Sequence, residues 1–462
     1  MSTHLRTIPV ATALLVAAAL LFSGCNAATS AIHPTPAQSG PAFVVGTDAP
    51  MASVVSFAVQ LQSITATDAA GNSVSLISGS PSVDFARFNG LQTLLDLNDV
   101  APGTYTSVTI TLGPGTIGYL DTSTAQPTIL TEAATFSTST VTTTLATPMV
   151  VATASTPVGL HLDFDLRKSI QVDASGNITG AVTPTFHVNS VANSDSGAYI
   201  DTFDAAVVSV GATSFVVQGP HGRQFTVNVT GQTEWENNES LADLTTSSIV
   251  ELSGQLDRAD STIDADCVAI LSQNGFFAAG QVTYVTPATG DATSFDLYVR
   301  ALLPTDTGIT LGQIDTVDLN GNEKYFINWR RNAITQFLFN SSALLPGQHL
   351  SIGGPATGAA NPDAVNAKRI VLRHWGFNGT VVPGSQDASN GTFQMQIKGF
   401  AGILVPQTVT VYTTAKSGFR DGPTGIGDLT DGETVRVVGL LLKDPLAANK
   451  TVLLAHYVDE LK

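Results

Sequence analysis

Cysteine, aromatic and charged residues are all scarce in this chain of 462 residues. Its two cysteines are Cys25, which follows an N-terminal leader, and Cys267, so no intrachain disulfide or cysteine metal site can be built. The apolar neighbours Val268 and Ile270 indicate that Cys267 is a small core residue. With 43% hydrophobic but only 7% aromatic residues, we expect cores of Val, Ile, Leu and Ala.

Positive charge is also in short supply. The chain has 20 Lys and Arg against 37 Asp and Glu, and its formal net charge is −17. This balance opposes binding to nucleic acid or direct adhesion to anionic lipid, and leaves neutral or cationic partners open. The sequence lacks a Gly-x-Ser-x-Gly elbow, a His-Glu-x-x-His motif, a phosphate-binding loop with Lys and a Cys-x-x-Cys pair. We therefore expect no enzyme activity and no cofactor.

The N-terminus has the pattern of an export signal. His4 and Arg6 precede an apolar run at residues 8–22, whose length of about 15 residues is too short to span a membrane. Ser23, Gly24 and Cys25 follow, and this end resembles the lipobox of bacterial lipoproteins. The resemblance predicts that residues 1–24 are a lipoprotein signal peptide and that lipid on Cys25 anchors the protein to a membrane. The alternative is an ordinary secretory signal with an incidental cysteine.

Residues 25–42 are predicted to form a flexible tether, because Ala, Ser, Thr, Pro and Gln dominate there without an apolar period. No second run is long and apolar enough to span a membrane. We expect an exported protein held by its lipid, with the outer membrane or the cell surface favoured. Asn26 leaves the choice of membrane open, because it is not the Asp that some bacteria read as an inner-membrane signal.

Strict alternation of apolar and polar residues begins after the tether, as at Val55, Phe57 and Val59, and predicts half-buried strands. The segments 68–72 and 173–177 place Asp, Gly and Asn where hairpin turns need them, although calcium loops favour the same residues. We predict an all-β protein whose residues 43–192 form an N-terminal β-sandwich.

A set of motifs in this region resembles the bacterial family called domain of unknown function 4382. The set consists of Ser56-Phe57-Ala58-Val59, Leu94-Leu95-Asp96-Leu97 leading into Pro102-Gly103-Thr104-Tyr105, and Leu160-His161-Leu162-Asp163-Phe164-Asp165 closing with Pro184. The resemblance implies a β-sandwich of a lipoprotein without known chemistry.

Three of these residues form a candidate metal site. Asp163 and Asp165 alternate across Phe164 on one strand, and His161 precedes them at the same spacing. Such a set could bind a divalent cation or serve an envelope hydrolase, whereas the alternative is a solvated strand face.

An internal repeat follows residue 200. Leu244-x-x-Ser247-x-x-Val250-x-Leu252-x-Gly254 aligns with Leu344-x-x-Gly347-x-x-Leu350-x-Ile352-x-Gly354 and with Leu429-x-x-Gly432-x-x-Val435-x-Val437-x-Gly439. We predict three tandem small β-barrel-like modules at residues 202–274, 276–374 and 376–460. They resemble domain of unknown function 5666. The middle copy has a longer insert at residues 298–329, which leaves its strand count open.

Two aromatic positions in the repeats are candidate ligand contacts. Trp329, Arg330 and Arg331 form a basic and aromatic cluster that could bind an anionic polymer or form a salt-bridged edge strand. Trp375 could stack against sugar rings if exposed, or belong to a core. We expect a lipid-anchored binding module that uses its tandem β domains as a rigid arm, with polysaccharide or an envelope protein as partner. A hydrolase and a structural spacer are the alternatives.

Overall fold

A computed structural model describes residues 39–461, except residues 50, 52–53, 122, 125, 154–156, 220–223, 257–261, 274, 304–307, 328–336, 356–364, 398–405, 421 and 446–449. The described part is almost entirely β-structure, as predicted. Its helical elements are short; the one α-helix among the described residues is α1 (Leu166–Ser169). No helix in these ranges is long and apolar enough to cross a membrane.

The N-terminal module is a β-sandwich, in agreement with the alternating pattern. One sheet has the order β13-β10-β1-β5, with β1 and β10 parallel, and β1 begins inside the segment predicted as a tether. Its strands are β1 (Gly40–Ala49), β5 (Thr93–Val100), β10 (Val158–Asp165) and β13 (Phe186–Ala192).

The facing sheet is built on the long pair of β2 and β6, flanked by β3, β4, β7 and β9. Alternate residues such as Phe57, Val59 and Leu61 on β2 are fully buried between the sheets. The strands are β2 (Val54–Asp68), β3 (Ser73–Ser75), β4 (Ser82–Asp84), β6 (Gly103–Asp121), β7 (Thr128–Ala133) and β9 (Thr140–Val151). A small third sheet contains β8 (Thr135–Phe136), β11 (Ile170–Val172) and β12 (Ile178–Val182).

Both predicted Asx-turns are present in this module. The carboxylate of Asp68 accepts hydrogen bonds from the backbone N–H groups of Ala70 and Asn72, at 2.9 and 2.8 Å. Asp173 does the same for Ser175 and Asn177, both at 2.8 Å. Turn formation therefore accounts for these Asp, Gly and Asn residues.

The first repeat is a closed five-stranded barrel, as predicted. Antiparallel pairs run β16-β15-β14-β18-β19, and a parallel pairing of β16 with β19 closes the ring. The strands are β14 (Ile200–Val210), β15 (Ser214–Gln218), β16 (Gln224–Asn228), β18 (Ile249–Leu256) and β19 (Ile263–Ser272), with the short β17 (Glu234–Trp235) added beside β19. The order is that of the OB-type barrel, a fold that hosts many unrelated functions.

The second repeat has the same path, so its longer insert does not change the strand order. Its last strand is divided into β25 and β26, and β25 makes the parallel pairing with β22 that closes the ring. The strands are β20 (Phe276–Thr286), β21 (Ser294–Leu303), β22 (Ile314–Asp318), β23 (Lys324–Ile327), β24 (His349–Gly354), β25 (Val365–Asn366) and β26 (Arg369–Arg373).

The third repeat closes like the first, through a parallel pairing of β29 with β32. Its strands are β27 (Trp375–Val381), β28 (Thr392–Ile397), β29 (Gln407–Tyr412), β30 (Gly418–Arg420), β31 (Thr434–Asp444) and β32 (Lys450–Glu460). In each barrel a 3-10 helix precedes the repeated motif: Leu241–Asp243, Ser341–Ala343 and Ile426–Asp428.

The final glycine of the repeated motif has a steric role. A Cβ atom on Gly254 would lie 2.0 Å from the carbonyl oxygen of Asp264, and one on Gly439 would lie 2.3 Å from that of Leu454. Because real Cβ atoms do not approach backbone this closely, any larger residue would force the last two strands apart.

The four modules pack together within one compact unit, Gln38–Lys462. Apolar clusters cross the module boundaries; for example, Phe43 and Val45 of the sandwich share a core with Phe203 of the first barrel. Leu440 and Leu442 of the third barrel likewise pack with the core of the second. The modules therefore bury apolar surface against one another and are not separate domains joined by linkers.

Candidate functional site

A short segment of the sandwich, residues 84–92, contacts all three barrels, and we call it the hub segment. It contains the 3-10 helix Phe85–Arg87 and turns sharply at Asn89 and Gly90, both with positive φ. The positive φ of Gly90 favours glycine, and a Cβ atom there would lie 2.3 Å from Nη1 of Arg436, so a larger residue would also displace this side chain of the third barrel.

Hydrogen bonds of the hub segment reach each barrel in turn. The N–H of Gln92 donates to Asp201 of the first barrel at 3.1 Å. Arg300 of the second barrel donates to the carbonyl of Ala86 at 2.9 Å. The side chain of Asn89 donates to the carbonyl of Gly376 in the third barrel. The hub segment therefore fixes the relative placement of the modules.

Buried charges surround the hub segment. Asp204 of the first barrel accepts hydrogen bonds from Arg87 at 3.0 Å and from Arg373 of the second barrel at 2.8 Å. Arg373 also forms an ion pair with Glu251. The side chains of Arg373 and Asp204 are each 4% exposed, so this network lies between modules and out of water. Burial lowers the pKa of Arg373, and the adjacent carboxylate of Asp204 opposes that shift.

Beside this network lies a cavity of about 230 Å³, which we call the hub cavity. Its walls are mainly apolar and come from the sandwich and the first two barrels, including Leu61, Ile77, Leu94, Leu95, Phe203 and Leu311. Asp84, Arg87, Asp204 and Arg300 contribute its charged surface. A neighbouring void lined by Arg373 and His349 measures only about 30 Å³, enough for one or two water molecules.

The charged groups of the hub cavity differ in their access to solvent. The side chain of Arg87 is 34% exposed, against 4% for Asp204. Burial raises the pKa of Asp84, and Arg300 opposes that shift. Arg300 is itself buried, with its guanidinium 4.8 Å from the ring centre of Trp375. Arg87 is therefore more accessible to a ligand entering the cavity than Asp204 or Arg300.

Two carboxylates lie in the described wall of the cavity, and both have partners within the protein. The residues that the structure describes along its wall include no histidine and no cysteine. Asp84 accepts a hydrogen bond from the N–H of Phe57 at 2.8 Å, and Asp204 is held by two arginines. Both carboxylates of the described wall are thus engaged by other groups of the protein, and apolar walls with a few charged groups are typical of small-molecule binding sites.

The predicted metal residues lie together on β10 but do not form a ligand set. Asp165 caps the N-terminus of α1 by accepting from the N–H of Lys168, and pairs with its ammonium group at 2.9 Å. Burial alone would raise the pKa of Asp165, but the hydrogen bonds and charge of Lys168 hold it below its ordinary value. Across the described ranges, no group of three or more His, Cys, Asp and Glu residues could hold a metal ion. The metal hypothesis for His161, Asp163 and Asp165 therefore gains no support.

Asp163 differs from Asp165 in its surroundings. Burial raises its pKa, and the charge of Arg436 on the third barrel opposes that shift most strongly. Its Oδ1 atom is buried and accepts no hydrogen bond among the described residues. Asp163 thus faces a module contact and not an open cleft.

Trp375 is buried, contrary to the proposed role in stacking on sugar rings. Only 1% of it is exposed, and His349 packs against it at 4.6 Å between ring centres. The second and third barrels enclose it. Trp329, Arg330 and Arg331, together with Cys25, lie outside the described residues. Cys267 is buried as expected, at 5% exposure.

Sequence reasoning missed the hub segment altogether. The one local signal was Asn89-Gly90, a dipeptide that favours positive φ. Sequence reasoning also missed a turn that the three barrels share. In this turn a side-chain oxygen accepts a hydrogen bond from the backbone N–H three residues earlier, at Ser248, Gln348 and Glu433.

Comparison with known families agrees with both resemblances. Residues 44–179 match the model of domain of unknown function 4382. Residues 205–269, within the first barrel, match the model of domain of unknown function 5666. No curated protein matches the chain. The protein is therefore a β-protein whose sandwich and first barrel are similar to two families without an assigned activity.

Proposed function

We propose that this protein is an exported lipoprotein that binds a small, mainly apolar molecule in the hub cavity. The observation that supports this proposal is the cavity itself, which is enclosed by three modules and combines apolar walls with a few charged groups. These are the usual properties of small-molecule sites in proteins.

The size of the cavity sets the class of ligand. A cavity of about 150 Å³ accommodates benzene in an engineered protein core. At about 230 Å³, the hub cavity suits a molecule of naphthalene size or a short branched chain. Because Arg87 is the more accessible of the two cations in the described wall, we expect the ligand to bear one anionic group.

The proposal includes the lipid anchor predicted at Cys25. Attached lipid would hold the binding module at a membrane surface. We favour the outer membrane or the cell surface. Labelling of producing cells with a palmitate analogue should mark the protein, and Cys25→Ala should abolish the label. An unlabelled wild-type protein would contradict the anchor without affecting the cavity.

Ligand binding can be tested with 2-naphthoate and its uncharged counterpart 2-naphthol. We would use residues 25–462 with Cys25→Ser, which keeps the whole compact unit Gln38–Lys462. Saturation-transfer NMR and thermal shift should detect binding of 2-naphthoate, with 2-naphthol weaker. If neither 2-naphthoate nor 2-naphthol binds, the proposal is overturned.

A matched pair of variants locates the site. Leu311 is 56% exposed and lines the cavity, whereas Leu338 is 67% exposed and does not line it. Leu311→Ser should weaken binding of 2-naphthoate, and Leu338→Ser should leave it unchanged. Equal effects of the two variants would show that binding occurs elsewhere.

A further inference from the structure

A second site lies between the first and second barrels, far along the chain from the hub segment. It is a cleft of about 620 Å³, which we call the basic cleft. One side is formed by Glu239 and residues 272–273 of the first barrel, and the other by β23, the end of β24 and the start of β26. This site is independent of the hub cavity and of the function proposed for it.

The charge of the basic cleft is opposite to that of the chain. Its described lining contains three cations, Lys324, Lys368 and Arg369, and one carboxylate, Glu239. The chain as a whole carries a net charge of −17. A local excess of positive charge in so acidic a protein attracts anions to this position.

The single carboxylate is engaged by the arginine. Glu239 pairs with Arg369 at 3.0 Å, with each side chain 14% exposed. The Arg369 guanidinium also lies 3.9 Å from the ring centre of Phe326. The charges of Glu239 and Arg369 thus offset each other, and Lys324 and Lys368 account for the positive excess of the described lining.

The two lysines are exposed and close in the fold. The N–H of Lys324 donates to the carbonyl of Lys368 at 3.0 Å, which brings the two backbones together where β23 meets β26. Both side chains are exposed on the wall of the cleft. Two exposed lysines on hydrogen-bonded backbone segments of one wall favour a ligand with more than one negative charge.

The part of the wall formed by the end of β24 bears no side chains. It consists of Gly353 and Gly354, and Cβ atoms there would lie 3.0 Å and 2.9 Å from backbone oxygens. The first and third barrels have Ser253 and Val438 where the second has Gly353. Gly353 therefore permits the close approach of the first barrel, and Gly354 that of β25, at this end of the cleft.

We propose that the basic cleft binds a phosphate-bearing ligand with at least two negative charges, held by Lys324 and Lys368. Lysine ammonium groups bind phosphate as point charges, and two of them favour a multiply charged phosphate over a single carboxylate. Arg369 pairs with Glu239 and is only 14% exposed, so it is less accessible to a ligand than the two lysines. The phosphate groups could belong to a soluble chain or to a membrane surface.

Calorimetric titration with inorganic triphosphate tests the soluble form of the ligand. We expect binding at low ionic strength that weakens as salt shortens the Debye length from about 30 to about 8 Å. Lys324→Gln combined with Lys368→Gln should weaken it by about tenfold or more. Lys416→Gln combined with Lys450→Gln removes the same charge elsewhere and should have little effect.

Sedimentation with vesicles tests whether the phosphate-bearing ligand is part of a membrane surface. Phosphatidylcholine vesicles with added phosphatidic acid should retain the protein through Lys324 and Lys368 if the phosphate belongs to a membrane. Binding of either probe that depends on these two lysines supports the proposal and identifies the source. Absence of binding to both probes, or equal loss in the control pair, would overturn it. Leu311→Ser should bind both probes normally, which separates this result from the hub cavity.

Discussion

The hub cavity and the basic cleft both lie between modules, but their charged side chains differ in pairing and in exposure to solvent. Around the hub cavity, Arg373 and Asp204 are paired and almost fully buried. In the basic cleft, Lys324 and Lys368 are exposed and lie side by side. Paired charges out of water fix how modules meet, whereas exposed charges of one sign remain available to a ligand.

The largest effect expected from this comparison is on stability at the hub. Arg373→Met would leave Asp204 and Glu251 buried with less compensation, and should cost about 3–5 kcal/mol of unfolding free energy. Chemical denaturation, monitored by circular dichroism, would measure this loss of unfolding free energy. The control Arg167→Met removes an arginine that is 44% exposed and 3.9 Å from Asp165, and should cost about 1 kcal/mol or less. Similar costs for the two variants would show that the hub pairs do not matter for stability.

A second expected effect concerns pH. Burial raises the pKa of Asp48 to about 8, against 3.8 for an exposed carboxyl, even though the N–H of Gly90 donates to it. The folded protein therefore holds this proton more tightly than the unfolded chain, and stability falls as pH rises from about 4 to about 8. Burial lowers the pKa of His349 to about 4, below the 6.5 of an exposed histidine. The unfolded chain therefore binds this proton more tightly, and the contribution of His349 to stability rises with pH between about 4 and 6.5.

Above pH 6.5 the contribution of Asp48 is therefore separated from that of His349. Asp48→Asn keeps a similar shape without the titration, and should flatten the fall in melting temperature between about pH 6.5 and 8. Asp121→Asn serves as control, because its exposed carboxyl has a lowered pKa and is ionised throughout this range. An unchanged slope in Asp48→Asn would contradict the buried, protonated carboxyl.

A smaller effect on stability is expected at the mouth of the hub cavity. Leu311 is 56% exposed, so Leu311→Ser should change the unfolding free energy by about 0.5 kcal/mol or less. Its effect on 2-naphthoate binding should be measurable all the same. A large loss of stability would instead mean that Leu311 belongs to the packing between modules.

The smallest stability effect is expected in the basic cleft. Lys324 and Lys368 are exposed, and replacing both with Gln should leave the melting temperature nearly unchanged. Binding of triphosphate should nevertheless be lost. A marked fall in melting temperature would indicate that the two lysines are structural, and would remove the contrast with the hub.

Much of the fold could be predicted because its signals are local. Alternation at Phe57, Val59 and Leu61 reports the two faces of β2 directly, and the turns at Asp68 and Asp173 follow from side chains that bond nearby N–H groups. The motif that begins at Leu244, Leu344 and Leu429 predicted three barrel modules, and all three have the same strand order, including the one with the long insert.

The candidate sites could not be predicted in the same way. Arg373 and Asp204 are 169 positions apart, and neither has neighbours in sequence that mark it for burial. The sequence was consistent with either an exposed or a buried Trp375, and the packing between the barrels buries it. The side chains of the basic cleft come from two barrels, so no motif within one of them describes it.

The sequence by itself determined the β-structure, the turn positions and the number of repeats, because each depends on residues within a few positions of one another. The tertiary structure alone decided that the modules pack around residues 84–92, which charges are buried and which remain exposed, and where cavities form. These features depend on contacts between segments more than a hundred residues apart, whose pairing no local periodicity encodes.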